Sequence, residues 1–118
     1  MNKIEQMFWG AYQKRMTEND EDYGLEPQVV IGIHKVDFAC EAGFDMKFAV
    51  EIDGHDFHKT KEQREKDYNR ERYLMRRGYI SIRFTGTEVF LEASKCVDEL
   101  LDIIDSFTLI AENLYEMR

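Results

Sequence analysis

A helix-like segment between two strand-like runs most constrains how this chain of 118 residues can fold. Residues 46–53 (MKFAVEID) carry an apolar side chain at every second position, and residues 79–84 (YISIRF) have the β-branched and aromatic content of a strand. Between them, Thr60 is a suitable N-cap for a helix that runs to about Arg77, and Gly78 follows where helices commonly end. A helical connection of this length allows the two strands to lie parallel and adjacent in one sheet.

The rest of the chain predicts two more strands and two more helices. These elements are a helix over residues 2–15, strands over 28–33 and 34–40, and a last helix from 91 to about 114. A turn at 85–89 leads into this helical part of the chain. Polar loops or turns are expected at 17–24, 41–45 and 54–59. In the second strand, alternation places Val36, Phe38 and Cys40 on one face and Lys35, Asp37 and Ala39 on the other. The order α-β-β-β-α-β-α predicts one α/β (α+β) domain over residues 1–118, with a mixed four-stranded sheet flanked by helices on both faces.

The charge of the chain is unevenly distributed. The net charge is −8 and the isoelectric point is about 4.9, which disfavours a general nucleic-acid coat protein. Residues 59–77 nevertheless hold eight of the sixteen Lys and Arg residues and only four acidic ones. This stretch could bind phosphates, or it could be a solvated helix face with ion pairs such as Glu62–Lys66.

Membrane insertion and a disulfide framework are not expected. The longest uncharged apolar stretch in the C-terminal half covers residues 106–111, far short of the ~20 residues that cross a bilayer. No basic-then-apolar signal segment opens the chain. Cys40 and Cys96 are too few for a disulfide framework or a zinc cage. We therefore expect a cytoplasmic protein with free thiols and no membrane partner.

Three carboxylates occupy positions in predicted strands. Glu51 and Asp53 lie two residues apart and so point to the same face of one strand, and Asp37 lies on the preceding strand of the hairpin. If the three converge between apolar neighbours, they repel one another unless a cation binds. Oxygen ligands without thiolates favour Mg²⁺, for which Mn²⁺ can substitute. The alternative is that all three lie on a solvated outer face of the hairpin.

The segment that follows these carboxylates contains two histidines. Gly54 allows a sharp turn or a close approach by a ligand directly after Asp53. His55 or His58 could accept a proton from water or protonate a leaving oxygen. Each could also be an ordinary surface residue, and together with Asp56 they could form a transition-metal site.

Several motifs occur together in a defined order. They are an Asp within a strand (VDF), an acidic strand end with glycine (VEIDG), a His-containing loop, a basic helix with Arg64, Asp67 and Arg70, and a strand ending in RF. This combination resembles the endonuclease-like domain of unknown function 559, a group related to the very-short-patch-repair endonucleases within the PD-(D/E)XK restriction-endonuclease-like superfamily. The resemblance covers residues 28–89 and extends loosely to the first helix. The segment DGHD is also similar to the Asp-x-His-Asp signature of phage homing endonucleases.

The resemblance implies a role for each acidic residue. Asp37 matches the first metal-binding Asp of the family, and Glu51 matches the acidic residue of the second half of the motif. Asp53 stands where the superfamily usually has Lys, so a cation that orients the attacking water is missing at that position. His55 or His58 is implied to replace it. Glu5 matches a Glu of the N-terminal helix that lies near the metal in such relatives.

The implied activity is Mg²⁺-dependent hydrolysis of phosphodiester bonds in DNA, with Asp37, Glu51 and Asp53 as metal ligands. The predicted phosphate-binding residues are Lys59, Lys61, Arg64 and Arg70. For Arg70, an intrahelical ion pair with Asp67 is equally compatible with the sequence.

Other functions remain open at this point. The domain could be a catalytically inactive nucleic-acid-binding module, a nuclease subunit of a larger complex or a His-dependent RNase. The apolar segment 103–114 could form a homodimer surface as well as core. A bacterial protein and a phage protein made in a bacterial host both fit the resemblance.

Overall fold

The computed structural model describes residues 1–54 and 59–117. The regular elements follow the predicted order. They are helix α1 (Lys3–Asn19), strands β1 (Glu26–Ile31), β2 (His34–Ala42) and β3 (Met46–Asp53), helix α2 (Lys61–Arg76), strand β4 (Tyr79–Thr85) and helix α3 (Gly86–Glu116), with a short 3₁₀ turn at Gly43–Asp45. Among the described residues, no helix is both long and apolar enough to cross a membrane.

The four strands form one mixed sheet in the order β1-β2-β3-β4. The pairs β1–β2 and β2–β3 are antiparallel, and β3–β4 is parallel, with Glu51 opposite Arg83 and Asp53 opposite Thr85. Helix α2 makes the crossover between the two parallel strands. The predicted parallel pairing across a helical connection is therefore confirmed.

Two apolar cores lie on opposite faces of the sheet. The larger core packs α1 and α3 against the sheet, with Phe8, Phe48 and Leu100 fully buried. The smaller core packs α2 against the other face through Leu74, which contacts a cluster that includes Ala49. Helices thus cover both faces, as the sequence predicts, and the face of β3 that carries Glu51 and Asp53 is the face covered by α2.

The alternation of β2 breaks at Asp37, so the predicted face of Val36 is wrong. Phe38 and Cys40 belong to the larger core, whereas Val36 belongs to the smaller core under α2. The ladder with β1 pairs residues on both sides of this point, and Gln28, which lies opposite Asp37, has a positive φ of 54°. This local distortion places Val36 on the face covered by α2, while Phe38 and Cys40 lie on the opposite face.

The helix boundaries depend on local capping. Thr60 caps α2 and forms a capping box with Gln63, and Gly78 follows the helix with a φ of 85°, as predicted. Helix α1 continues to Asn19, into the segment predicted as an acidic loop. Helix α3 begins at Gly86, earlier than predicted, because Thr85 forms a second capping box with Glu88.

The last helix is only partly buried. It bends at Glu92, where φ is −147°. Val97, Leu100, Leu101 and Ile104 of the predicted apolar stripe lie in the core, but Phe107 and Ile110 are 36% and 55% exposed. Both cysteines are free and buried.

Candidate active site

Asp37 and Glu51 lie where β2 and β3 stop pairing. The ladder between these strands runs from Ala42–Met46 to Phe38–Val50, and Asp37 and Glu51 are the next residues along it. Instead of continuing the ladder, the backbone N–H of Ile52 donates a hydrogen bond to Oδ2 of Asp37 at 2.8 Å. The carboxylate of Asp37 is therefore held against β3, next to Glu51.

The environment of Asp37 disfavours its charged form. Burial raises the pKa of this carboxyl above its usual value, and the negative charges of Glu5 and Glu51 add to the effect. The hydrogen bond from Ile52 and the charge of Arg70 act in the opposite direction and only partly compensate. Negative charge thus accumulates here, and a bound cation would relieve it.

Arg70 of α2 binds Glu51 with two nitrogens. Its Nε donates to Oε1 and its Nη2 lies near Oε2, each at 3.0 Å. Nη2 also donates to the carbonyl oxygen of Lys35 at 2.6 Å, which ties α2 to β2. The Glu51 side chain is only 15% exposed, so this pair is shielded from water far better than a surface ion pair. The sequence predicted either a phosphate or Asp67 as the partner of Arg70, and the structure instead pairs it with Glu51.

Asp53 belongs to a second ion-pair network, centred on Arg83 of β4. The Nη2 of Arg83 lies 2.6 Å from Oδ1 of Asp53 and 3.7 Å from Oδ2 of Asp67. Asp67 in turn binds the ammonium of Lys59 at 2.5 Å. Nε of Arg83 is buried and has no hydrogen-bond partner in the part of the chain that the structure describes. Within residues 1–54 and 59–117, the network thus contains one buried donor without an acceptor.

The charged neighbours in this network shift the pKa values of Asp67 and Arg83. The hydrogen bond from Lys59 lowers the pKa of Asp67, with help from the charges of Lys59, Arg83 and Arg70. Burial lowers the pKa of Arg83, but the hydrogen bond and charge of Asp53, with Asp67 and Glu51, outweigh it and raise the pKa above its usual value. Arg83 is thus a fixed cation beside the carboxylates.

Glu5 reaches the same end of the sheet from α1. Asn2 caps this helix by accepting a hydrogen bond from the backbone N–H of Glu5. Oε1 of Glu5 accepts a hydrogen bond from the amide of Gln28 at 3.0 Å, at the bend opposite Asp37. Together with its effect on the pKa of Asp37, this contact places Glu5 near the carboxylates of the sheet.

The four basic residues predicted to bind phosphates are separated in the structure. Lys59 and Arg70 point to carboxylates, as described above. Lys61 and Arg64 lie at exposed positions in the first half of α2. Two of the four therefore have carboxylate partners, and the other two face solvent.

Arg83 and Asp67 were not singled out as site residues from the sequence. A signal for Arg83 was present, since it is the one charged residue in the strand-like run YISIRF. The same reasoning that selected Asp37, Glu51 and Asp53 applies to it. Asp67 gave no comparable signal, because an acidic residue on a charged helix is common.

A protein-family model for the restriction endonuclease-like family REase_MTES_1575 matches residues 12–104. The chain belongs to this family. The match covers most of the chain, from the middle of α1 into α3, and membership indicates a nuclease. The comparison with curated proteins found no match.

Of the three predicted metal ligands, Asp37 and Glu51 lie next to each other, whereas Asp53 binds Arg83. Among residues 1–54 and 59–117, no three His, Cys, Asp or Glu side chains form a group that could hold a metal ion. Mg²⁺ usually takes only one or two protein carboxylates and completes its coordination with waters and substrate phosphates. Asp37 and Glu51 meet that requirement, although both oxygens of Glu51 face Arg70 in this structure. His55 and His58 lie outside the described residues.

Proposed function

We propose that this protein is a metal-dependent endonuclease that hydrolyses phosphodiester bonds in DNA. The observation that carries the proposal is the position of Asp37 and Glu51 at the point where β2 and β3 part, in a member of a restriction endonuclease-like family. The surrounding sheet holds both carboxylates rigidly at the edge where the two strands part.

In this proposal, Asp37 and Glu51 would hold Mg²⁺, for which Mn²⁺ can substitute, while Asp53 stays paired with Arg83. The metal would supply Lewis-acid stabilisation of the charge that develops on the scissile phosphate. His55 or His58 would accept the proton of the attacking water. Glu5 lies close enough to affect the charge of Asp37 and would help to orient water at the site.

Arg83 supplies the cation that the sequence pattern lacks at position 53. It lies opposite Glu51 in the parallel ladder and binds Asp53 directly. A fixed guanidinium beside the carboxylates favours the negative charge of a phosphate in the transition state.

DNA would approach along the first half of α2. Lys61 and Arg64 are exposed there, and the stretch 59–77 carries half of the basic residues in an acidic chain. Contacts of this kind with phosphates provide affinity and salt dependence, not sequence preference.

One observation favours the alternative of a catalytically inactive nucleic-acid-binding module. Arg70 and Arg83 neutralise Glu51 and Asp53 without any metal. If these ion pairs persist in the presence of Mg²⁺ and DNA, the carboxylates serve only the fold. Cleavage and binding measured on the same preparation separate the two functions.

The test is incubation of supercoiled plasmid with the protein in Mg²⁺ or Mn²⁺. We expect nicked or linear product with the wild type, and none in EDTA or with the variants Asp37→Asn and Glu51→Gln. Glu41→Gln, which changes an exposed carboxylate at the other end of β2, should cleave like the wild type. Cleavage that survives EDTA, or that Glu41→Gln and Asp37→Asn reduce equally, would contradict the proposal.

A further inference from the structure

A pocket of about 500 Å³ lies beside the carboxylates, between the turn that joins β1 to β2 and helix α2. Pockets of this size accommodate small organic groups. The side chains that line it combine apolar, aromatic, amide, cationic and carboxylate groups. They come from the turn, with Ile33 and His34, and from α2, with Lys66, Asp67, Asn69, Arg70 and Tyr73.

The pocket adjoins the candidate active site through two shared residues. Arg70 lines the pocket and also binds both oxygens of Glu51. Asp67 lines the pocket and also belongs to the network of Arg83 and Asp53. A group bound in the pocket therefore lies next to the residues proposed to act on the phosphate.

The turn that forms one wall of the pocket is held firmly against α2. The hydroxyl of Tyr73 accepts a hydrogen bond from the backbone N–H of Ile33 at 3.1 Å. Gly32 has a φ of 60°, and a Cβ there would lie 2.0 Å from the same hydroxyl, so the backbone packs directly on Tyr73. The ring of His34 contacts Tyr73 edge-on, with 5.0 Å between ring centroids. These contacts with α2 therefore fix the position of the turn.

This fixed turn exposes a large apolar side chain. Ile33 is 79% exposed, although the buried Ile31 lies only two residues earlier. A single exposed isoleucine is common on protein surfaces. Here, however, it stands on an anchored turn at the edge of a pocket that shares Arg70 and Asp67 with a candidate nuclease site. That position suits contact with the flat face of a base next to the phosphate being cut.

We propose that this pocket binds a nucleobase that has left the base stack next to the scissile phosphate, while Ile33 packs against the neighbouring base. A nucleobase has apolar faces and polar edges. The pocket offers the ring of Tyr73 to the faces and the amide N–H groups of Asn69, whose Oδ1 accepts a hydrogen bond from Arg72, to the edges. Lys66 is exposed on the same helix and can bind the adjoining phosphate. Because unstacking costs least where a base is already unpaired, the protein should prefer DNA with an unpaired nucleotide. This inference rests on the proposed nuclease function.

The test compares a fully paired DNA duplex with a duplex that contains one unpaired nucleotide. The unpaired nucleotide carries the fluorescent base 2-aminopurine. Binding is measured by anisotropy in EDTA, so that no metal-dependent cleavage occurs. We expect the wild type to bind the duplex with the unpaired base at least about fivefold more tightly, which corresponds to about 1 kcal/mol. The emission of 2-aminopurine should rise on binding, because the base leaves its stacked neighbours.

Ile33→Ser and Asn69→Ala should lose this preference and the rise in emission, with little change in affinity for the paired duplex. Leu109→Ser is the matched control, because Leu109 is 57% exposed on α3, which packs on the opposite face of the sheet. It should keep both effects. Circular dichroism of each variant checks that it is folded.

The outcomes separate this inference from the nuclease proposal. Plasmid cleavage without a preference for the unpaired base would overturn the pocket assignment alone. A preference that Ile33→Ser abolishes, without cleavage of any substrate in Mg²⁺ or Mn²⁺, would support the pocket and overturn the nuclease. A preference that Ile33→Ser leaves unchanged would overturn the pocket assignment, and a protein that neither binds nor cleaves DNA would overturn both.

Discussion

The guanidinium of Arg70 binds both carboxylate oxygens of Glu51, at 3.0 Å each, and joins α2 to β3 at the candidate active site. A bidentate pair of this kind is stronger and more directional than a single charged contact. It also occupies the oxygens that a metal would need. The pair therefore connects the stability of the domain with the chemistry proposed for it.

The variant Arg70→Ala should destabilise the fold by about 2 kcal/mol, because a largely buried Glu51 loses its charged hydrogen-bond partner. Arg70→Lys should recover only part of this loss, since an ammonium cannot form the bidentate contact. The measurement is urea denaturation at 25 °C. Arg64→Ala, on the exposed side of the same helix, should change the free energy of unfolding by less than about 0.5 kcal/mol. Equal losses for Arg70→Ala and Arg64→Ala would contradict this prediction.

Mn²⁺ should raise the melting temperature of Arg70→Ala more than that of the wild type. Removing the guanidinium leaves the oxygens of Glu51 free, so a metal that binds the folded state gains affinity and stabilises it by mass action. Thermal scans with and without Mn²⁺ measure the difference, and Arg64→Ala should behave like the wild type. Identical shifts for all three proteins would show that the metal and Arg70 do not share Glu51.

Asp53 and Arg83 should show coupled effects on stability. Their contact at 2.6 Å links β3 to β4, and both side chains are mostly buried. A double-mutant cycle with Asp53→Asn and Arg83→Gln should give a coupling energy of about 1 kcal/mol. A cycle of Asp53→Asn with Arg76→Gln, an exposed residue near the end of α2, should be additive within about 0.5 kcal/mol. Additive effects of Asp53→Asn and Arg83→Gln would mean that their contact contributes nothing to the free energy of unfolding.

Gly32→Ala should cost more stability than Gly24→Ala. Both glycines have positive φ, 60° and 74°, and any L residue is strained there. A Cβ at Gly24 meets nothing within 4 Å, whereas at Gly32 it would meet the hydroxyl of Tyr73 at 2.0 Å. Gly24→Ala should therefore lower the free energy of unfolding by about 1 kcal/mol, because only the backbone conformation is strained. The additional loss of stability in Gly32→Ala measures the packing of the turn on α2. No excess would show that the turn moves freely away from Tyr73.

Alkaline pH should weaken the contact between Tyr23 and Asp105. Burial, together with the hydrogen bond to Asp105, raises the pKa of Tyr23 to about 12. The unfolded chain loses this proton near pH 10, so the stability that Tyr23 contributes is complete below pH 10 and declines as the pH rises towards 12. The stability advantage of the wild type over Tyr23→Phe should therefore shrink between pH 9 and pH 11 in urea titrations. An advantage that stays constant would contradict the raised pKa.

The sequence predicted the order of elements because each element has a local signature. β3 has the predicted bounds, and α2 begins and ends at its caps, since Thr60 and Gly78 act on their immediate neighbours. Helix α3 begins earlier than predicted because the capping box of Thr85 with Glu88 outweighed the turn signal of Gly86. Val36 changed face because β2 bends at Asp37, and nothing in its alternating pattern indicates a bend.

For the candidate site, the sequence by itself determined which carboxylates stand on strands and that Glu51 and Asp53 share a face, because side-chain direction in a strand has a period of two. Only the tertiary structure decided their partners. Arg70 and Arg83 lie 19 and 30 residues from the carboxylates that they bind. Such distant residues meet only because α2 crosses over to place β4 beside β3, and no local pattern encodes that contact.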